Sequence, residues 1–363
     1  MSENEKIYGV FFSLIPSIGP RRFKKIYSHF ENLKQAYEAE FIDFLRAGLE
    51  EKVIYEILQK KKEVDPEKEW QKLEKEKVSV TTIKEKEYPA LLKEIYDPPG
   101  VLYWQGKFIK PSEFLFAVVG TRKPSSYGRL ATFEIVRPLA ANNITIVSGL
   151  ALGIDALAAQ ATLESHGRTI AVLGSGVNQI HPCSNSRLAQ KILDNNGLLL
   201  SEYPLGAPPL KAHFPQRNRI ISGLCLGTLI IEAPERSGAL ITARSALEQN
   251  REVFCLPGSI FSENSLGPNN LIKMGARLVT SSADILDALN LERAPEFQEN
   301  QNISPDTAEE EIIIKILSRE AVHIDKIIEG SKLKPSIINS CLTLMEMKGK
   351  VKNIGGMHYI LGR

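Results

Sequence analysis

The segment P-L-K-A-H-F-P-Q-R-N-R-I-I-S-G-L (209–224) holds the densest chemistry in the chain. Lys211 and Phe214 stand three apart in a loop stiffened by prolines, and Arg217, Asn218 and Arg219 enter the helix that follows. A cation for a phosphate and an aromatic face for a base are the two parts of a single-strand nucleic-acid site, in which each stacked base contributes about 1–3 kcal/mol whatever its identity. The same residues also read as scaffold, with Phe214 anchoring the loop in the core and Arg219 serving as half of an ion pair. Residue types alone leave both readings open.

A second set of candidates lies in three glycine-bearing turns. Gly120-Thr121-Arg122-Lys123 follows the apolar run 114–119, Ser148-Gly149 closes 144–148 with Gly153 and Asp155 just beyond, and Gly174-Ser175-Gly176 follows 169–173. Turns of this type at one sheet edge expose backbone N–H groups and helix N-termini, which favour an anion such as phosphate. Three nucleotide or hydrolase signatures fail. The single G-x-G never reaches its third glycine, no Gly-Lys-Ser/Thr triplet ends a Walker loop, and G-x-S-x-G is absent.

These turns require elements to position them. Apolar runs at 114–119, 144–148, 169–173, 197–202, 227–232, 252–257 and 277–280 alternate with helical stretches. Runs apolar on both faces and separated by amphipathic helices predict a parallel sheet covered on both sides. The expected fold class is therefore α/β, a Rossmann-like doubly wound sheet, in which ligands sit beyond the carboxyl ends of the strands. Residues 1–65 read as an N-terminal helical module (SAM/helix-hairpin-helix-like), with Phe23, Ile26, Tyr27 and Phe30 on one helix face and basic residues behind the Gly19-Pro20 turn. Residues 66–290 form the extended Rossmann-like domain, 291–306 a polar linker, and 307–363 a winged-helix domain of three helices and a hairpin around Gly355-Gly356.

Composition bounds the partners. Lys and Arg number 45 against 43 Asp and Glu, a net charge of +2, so a broadly basic duplex clamp is excluded. Yet Phe114–Phe133 contains no acid beside Arg122, Lys123 and Arg129, and Tyr203–Ile231 none beside Lys211, Arg217 and Arg219. Basic side chains thus gather where the turns converge. No apolar run approaches the roughly 18 residues of a membrane span, and no secretory signal opens the chain. The four cysteines lack C-x-x-C spacing and the six histidines lack zinc-site spacing, so no metal or cofactor is expected and the compartment reads as cytoplasmic.

The strings GTRKPSSYG, VSGLALGIDALAA, HFPQRNRIISGL, EAPERSGALITARSALEQNREVFCLPGSI and GPNNLIKMGA resemble the DNA-processing protein DprA (Smf) family, densely over about 88–290. The resemblance implies a dimeric cytoplasmic protein of natural transformation that binds and protects single-stranded DNA and helps load RecA, without catalytic turnover. By position it assigns the DNA contacts to Gly120, Thr121, Arg122, Lys211 and Phe214, with Ser148, Gly149, Arg217, Asn218 and Arg219 on the pocket rim. The winged helix departs from a strong duplex reader, since its recognition helix from Pro335 to Met347 offers Ser336, Asn339, Ser340 and Thr343 but no Lys or Arg. Two alternatives compete. One is a nucleoside-phosphate-handling, phosphoribohydrolase-like enzyme, although the turn Ala233-Pro234-Glu235-Arg236-Ser237-Gly238 lacks its glycine pair. The other is a winged-helix regulator that prefers duplex DNA.

Overall fold

The computed structural model describes residues 3–291, 305–317, 322–331, 333–348, 350–353 and 357–361. They fall into two compact units that divide at residue 291. Most of the expected linker, like the Gly355-Gly356 turn, lies outside the described residues.

The first unit is built on a nine-stranded sheet. In chain order its strands are β1 (Ser79–Thr82), β2 (Val101–Gly106), β3 (Leu115–Val119), β4 (Thr145–Ser148), β5 (Thr169–Val172), β6 (Leu198–Ser201), β7 (Gly227–Ile230), β8 (Glu252–Cys255) and β9 (Arg277–Leu278). They lie side by side as β1-β2-β6-β5-β4-β3-β7-β8-β9. From β6 to β9 every pairing is parallel. All residues of β3, β4, β5, β6 and β7 are buried, as strands with helices on both faces must be. The seven strands read from the sequence are β3 to β9, with β3, β4 and β5 each shorter by one residue and the other four by two.

The other two strands were not foreseen. β2 pairs antiparallel with β6, placing Tyr103 opposite Ser201, and β1 pairs antiparallel with β2. β1 escapes a hydrophobicity reading because its buried side chains include Thr81 and Thr82. Their polar atoms are satisfied internally: Glu85 accepts from the Thr82 amide at 2.7 Å, and the Trp104 indole donates to Thr81 at 3.1 Å.

This antiparallel extension also carries the N-terminal helices. Phe23 on the helix Pro20–His29 fills the space beside Gly100, where a Cβ would come within 2.2 Å of its ring. Ser13 and Tyr103 share a hydrogen bond of 2.5 Å. Phe11, Phe44 and Ile54 belong to the same buried cluster as Val172 and Ile230. The boundary expected after residue 65 is therefore no break in packing, because the helical module has no core closed off from the sheet.

The chain order reverses between β3 and β7. From β3 the chain passes through the helix Ser126–Ala141 to β4 on one side, whereas from β6 it passes through the helix His213–Leu224 to β7 on the other. At such a switch point the loops leave in opposite directions and a crevice opens beyond the strand ends.

The second unit has the helices Ala308–Ile316, Ile324–Ser331 and Pro335–Met347 around a core of Ile313, Ile327, Ile338, Leu342 and Met345. Its sheet has three strands, not the expected two: β12 (His358–Leu361) lies between β10 (Val322–His323) and β11 (Val351–Asn353). Among the described residues no helix is long and apolar enough to cross a membrane, and no cluster of potential metal ligands occurs. Cys225 and Cys255 are buried free thiols, and burial pushes Cys255 up to about 12, as fits thiols that pack as small hydrophobes.

Candidate nucleic-acid interface

A cleft of about 950 Å³ opens at the switch point. It is lined from β3 by Gly120, Thr121, Arg122 and Lys123, and from the helix His213–Leu224 and its preceding loop by Lys211, Phe214, Arg217 and Asn218. The turn after β7 adds Arg236, Ser237 and Gly238, and the loops after β5 and β8 add His181 and Asn264. Arg122, Lys123, Lys211 and Arg236 are exposed cations. Phe214 is half-buried among them, with the Arg122 guanidinium carbon 6.0 Å from its ring centroid and the His181 ring at 5.5 Å. Cations and one aromatic ring thus line the same cleft, which is the pair of features a nucleotide chain requires.

The glycine turns serve this site differently from what the sequence suggested. At least one amide in each turn is already bonded within the protein. Thr121 donates to the Glu232 carbonyl at 2.6 Å, Gly149 to the Asp155 carboxylate at 3.0 Å, and Gly176 to the Ala207 carbonyl at 2.9 Å. The glycines are needed instead because a side chain packs where their Cβ would be. At Gly120 it would meet Ile154 at 2.6 Å, at Gly149 the Arg217 guanidinium at 2.6 Å, and at Gly174 the Phe214 ring at 3.0 Å. The anion-binding capacity of the cleft accordingly resides in side-chain cations.

Arg217 and Arg219, adjacent in the sequence reading, do opposite things. Positions two apart on a helix do not share a face. Arg217 is 4% exposed and donates to the carbonyls of Gly149 at 2.9 Å and of Val172 at the end of β5. Burial pushes its guanidinium down to about 10, and burial likewise raises Asp155 above the ordinary carboxylate range, opposed by the charge of Arg217. Arg217 therefore forms the floor of the cleft by tying together the ends of β4 and β5. Arg219 points to the other flank, where it pairs with Asp97 at 3.0 Å and Glu202 at 2.6 Å. Burial alone would lower it, but these two carboxylates raise it above its usual value. The assignment of Arg219 to the DNA contacts is thus corrected: it is a structural ion pair and does not line the cleft. Ser148 and Gly149 are also absent from the lining: Ser148 is buried, and the Arg217 side chain packs over Gly149.

Asn218 is held by both neighbours of the cleft, accepting from Arg217 Nε at 3.2 Å and donating to the Gly238 carbonyl at 3.1 Å. Arg236 and His181 were missed as site residues. Arg236 sits in the acid-containing string EAPERSG, which a search for acid-free stretches passes over, and His181 is isolated in sequence.

The carboxylate nearest to the comparable enzyme turn is fully engaged. Glu232 is 2% exposed and accepts from the Ser125 amide at 2.9 Å, the Ser125 hydroxyl at 2.5 Å and Asn264 at 3.3 Å. It anchors the start of the helix Ser126–Ala141 against the end of β7, and a Cβ on Gly128 would collide with it at 2.3 Å. Glu232 is therefore committed to its own loops and is not among the residues that line the cleft, whose acids are Asp155 and Glu263.

A doubly wound sheet with a cation-lined cleft at its switch point, followed by a winged-helix unit, defines a class of Rossmann-type protein suited to a polyanionic ligand. A family model described as DNA recombination-mediator protein A matches residues 79–290, and one described as DprA winged helix domain matches 297–357. The chain is 42% identical over 283 residues to Protein Smf of Escherichia coli, covering 76% of this chain and 75% of that protein. To DNA processing protein DprA of Streptococcus pneumoniae it is 47% identical over 199 residues, covering 55% and 70%. The X-ray structure of the pneumococcal protein superposes with a TM-score of 0.68 at 38% identity, covering 79% of this chain and 98% of that one. DNA processing protein A of Helicobacter pylori, whose structure is described as revealing a unique single-stranded DNA binding mode, superposes at 0.52 with 30% identity, covering 59% and 97%. The chain belongs to the DprA (Smf) family of DNA-processing recombination mediators.

Proposed function

We propose that the cleft binds single-stranded DNA, with Arg122 and Lys211 holding successive phosphates, Phe214 stacking a base, and Lys123 and Arg236 extending the cationic rim. Gly120 and Thr121 shape the wall, while Arg217 and Asn218 hold the floor. The single observation that carries this reading is that four exposed cations line one cleft with a half-buried aromatic ring, one of them, Arg122, lying over that ring. The chain acts as a homodimer in the cytoplasm, protects incoming DNA and loads RecA on it during natural transformation, and it turns over no substrate. Family membership and the single-strand binding of the Helicobacter relative support the reading.

Fluorescence anisotropy with a labelled oligothymidylate over a salt series tests it. Each cation removed, in Arg122→Ala or Lys211→Ala, is expected to lower the log–log salt slope by about 0.7, the value for one single-strand phosphate. Unchanged binding and slope in both variants would sink the proposal. The mediator step is read separately, as RecA filament assembly accelerated by the wild-type chain and not by the double variant.

A further inference from the structure

The helix His213–Leu224 has a second flank, and a second basic groove lies there. A depression of about 340 Å³ is lined by Arg21, Lys24 and Lys25 of the helix Pro20–His29 and by Tyr96, Asp97 and Pro98. The Arg21 guanidinium carbon stands 4.8 Å from the centroid of the Tyr96 ring. Tyr96 is 77% exposed, which is unusual for so large a ring in a well-anchored loop. The loop is anchored on both sides. Ile95 is buried against Gly223, where a Cβ would approach it to 3.0 Å, and Asp97 is clamped by Arg219. The backbone therefore fixes Tyr96 outward.

The charges of the groove are unequal in their availability. Lys25 donates to the Gly48 carbonyl at 2.5 Å, and Arg22 next to the groove pairs with Glu50 at 2.9 Å. Asp97, the groove's acid, pairs with Arg219, which it shares with Glu202. Lys24 and Arg21 form no ion pair among the described residues, so they leave a net positive groove around an exposed aromatic ring. That repeats the chemistry of the cleft, a cation for phosphate beside a ring for a base. Arg219 and Gly223 bind the Tyr96 loop to the same helix whose opposite flank carries Phe214 and Arg217, so both places belong to one packed unit.

We propose that Arg21, Lys24 and Tyr96 form a second single-strand contact, which takes up the phosphates and a base of a strand too long for the cleft alone. The inference rests on the proposed reading of the cleft. It is tested on the full chain with labelled oligothymidylates of about 6 and about 20 nucleotides, which bracket common single-strand site sizes. Arg21→Glu/Lys24→Glu and, separately, Tyr96→Ala are expected to weaken the longer probe about tenfold. Both should leave the shorter probe and the melting temperature unchanged, since all three side chains are exposed. Arg122→Ala weakens both probes. Groove variants that match wild type on the longer probe, or weaken both lengths equally, overturn the second contact. The former outcome would also be that of a groove serving an acidic protein partner. If Arg122→Ala leaves the shorter probe unaffected, the reading of the cleft fails instead.

Discussion

Two helices of nearly equal length invite comparison, His213–Leu224 in the first unit and Pro335–Met347 in the second. The second occupies the position of a recognition helix in a winged-helix domain, yet it carries no Lys or Arg, and two of its exposed hydroxyls are bonded to the helix's own backbone. Ser340 donates to the Ser336 carbonyl at 3.0 Å and Thr343 to the Asn339 carbonyl at 2.9 Å. The first helix opens with no acid and directs Phe214, Arg217 and Asn218 into a cleft. A DNA-associated fold does not by itself supply a DNA-contacting surface; groups that reach out to the ligand do, and the proposed reading places them in the Rossmann-like unit.

Substitutions can break this comparison or sharpen it. The largest effect is expected for Arg217→Ala, which leaves Asp155 buried and the carbonyls of Gly149 and Val172 without a donor. Losing one partner of a buried charge pair removes about 3–5 kcal/mol, readable as a shifted urea midpoint. A variant as stable as wild type would remove Arg217 from the scaffold. Gly149→Ala should act through the same guanidinium, since its methyl group would enter at 2.6 Å, and overpacking costs about 1–3 kcal/mol in thermal unfolding. Phe214→Ala should weaken oligonucleotide binding by about 1–3 kcal/mol, with Phe214→Tyr retaining most of it. The smallest effect is expected in the second unit. Asn339→Ala with Ser340→Ala should change single-strand binding by no more than about twofold, the size of a typical surface substitution. A larger loss there would reverse the contrast between the two helices.

The parallel sheet was legible in the sequence because strands buried on both faces must be largely apolar, and each of β3 to β8 carries at least two consecutive apolar residues. The cleft was legible to the extent that its cations lie in acid-free stretches. What escaped was whatever depends on phase or on distant partners. The two arginines at 217 and 219 look alike until the helix turns one inward to β4 and β5 and the other outward to Asp97 and Glu202. The glycines were read as exposing amides, whereas Gly120, Gly149 and Gly174 make room for Ile154, Arg217 and Phe214, which no local pattern reveals. β1 went unseen because its buried threonines are polar, and the shared core of the N-terminal helices went unseen because its other half begins more than a strand away.

The pairing of β2 with β6 also sets a timetable. β2 ends at Gly106 and its partner begins at Leu198, so roughly 90 residues separate them. At a synthesis rate of about 5–20 residues per second, an emerging chain waits roughly 5–20 seconds before β2 acquires its inner neighbour. Any pairing of β1 with β2 in that interval leaves the β2 edge that will take β6 open. Such an edge is a template for the wrong partner, and the nascent chain is at its most vulnerable to aggregation in that interval.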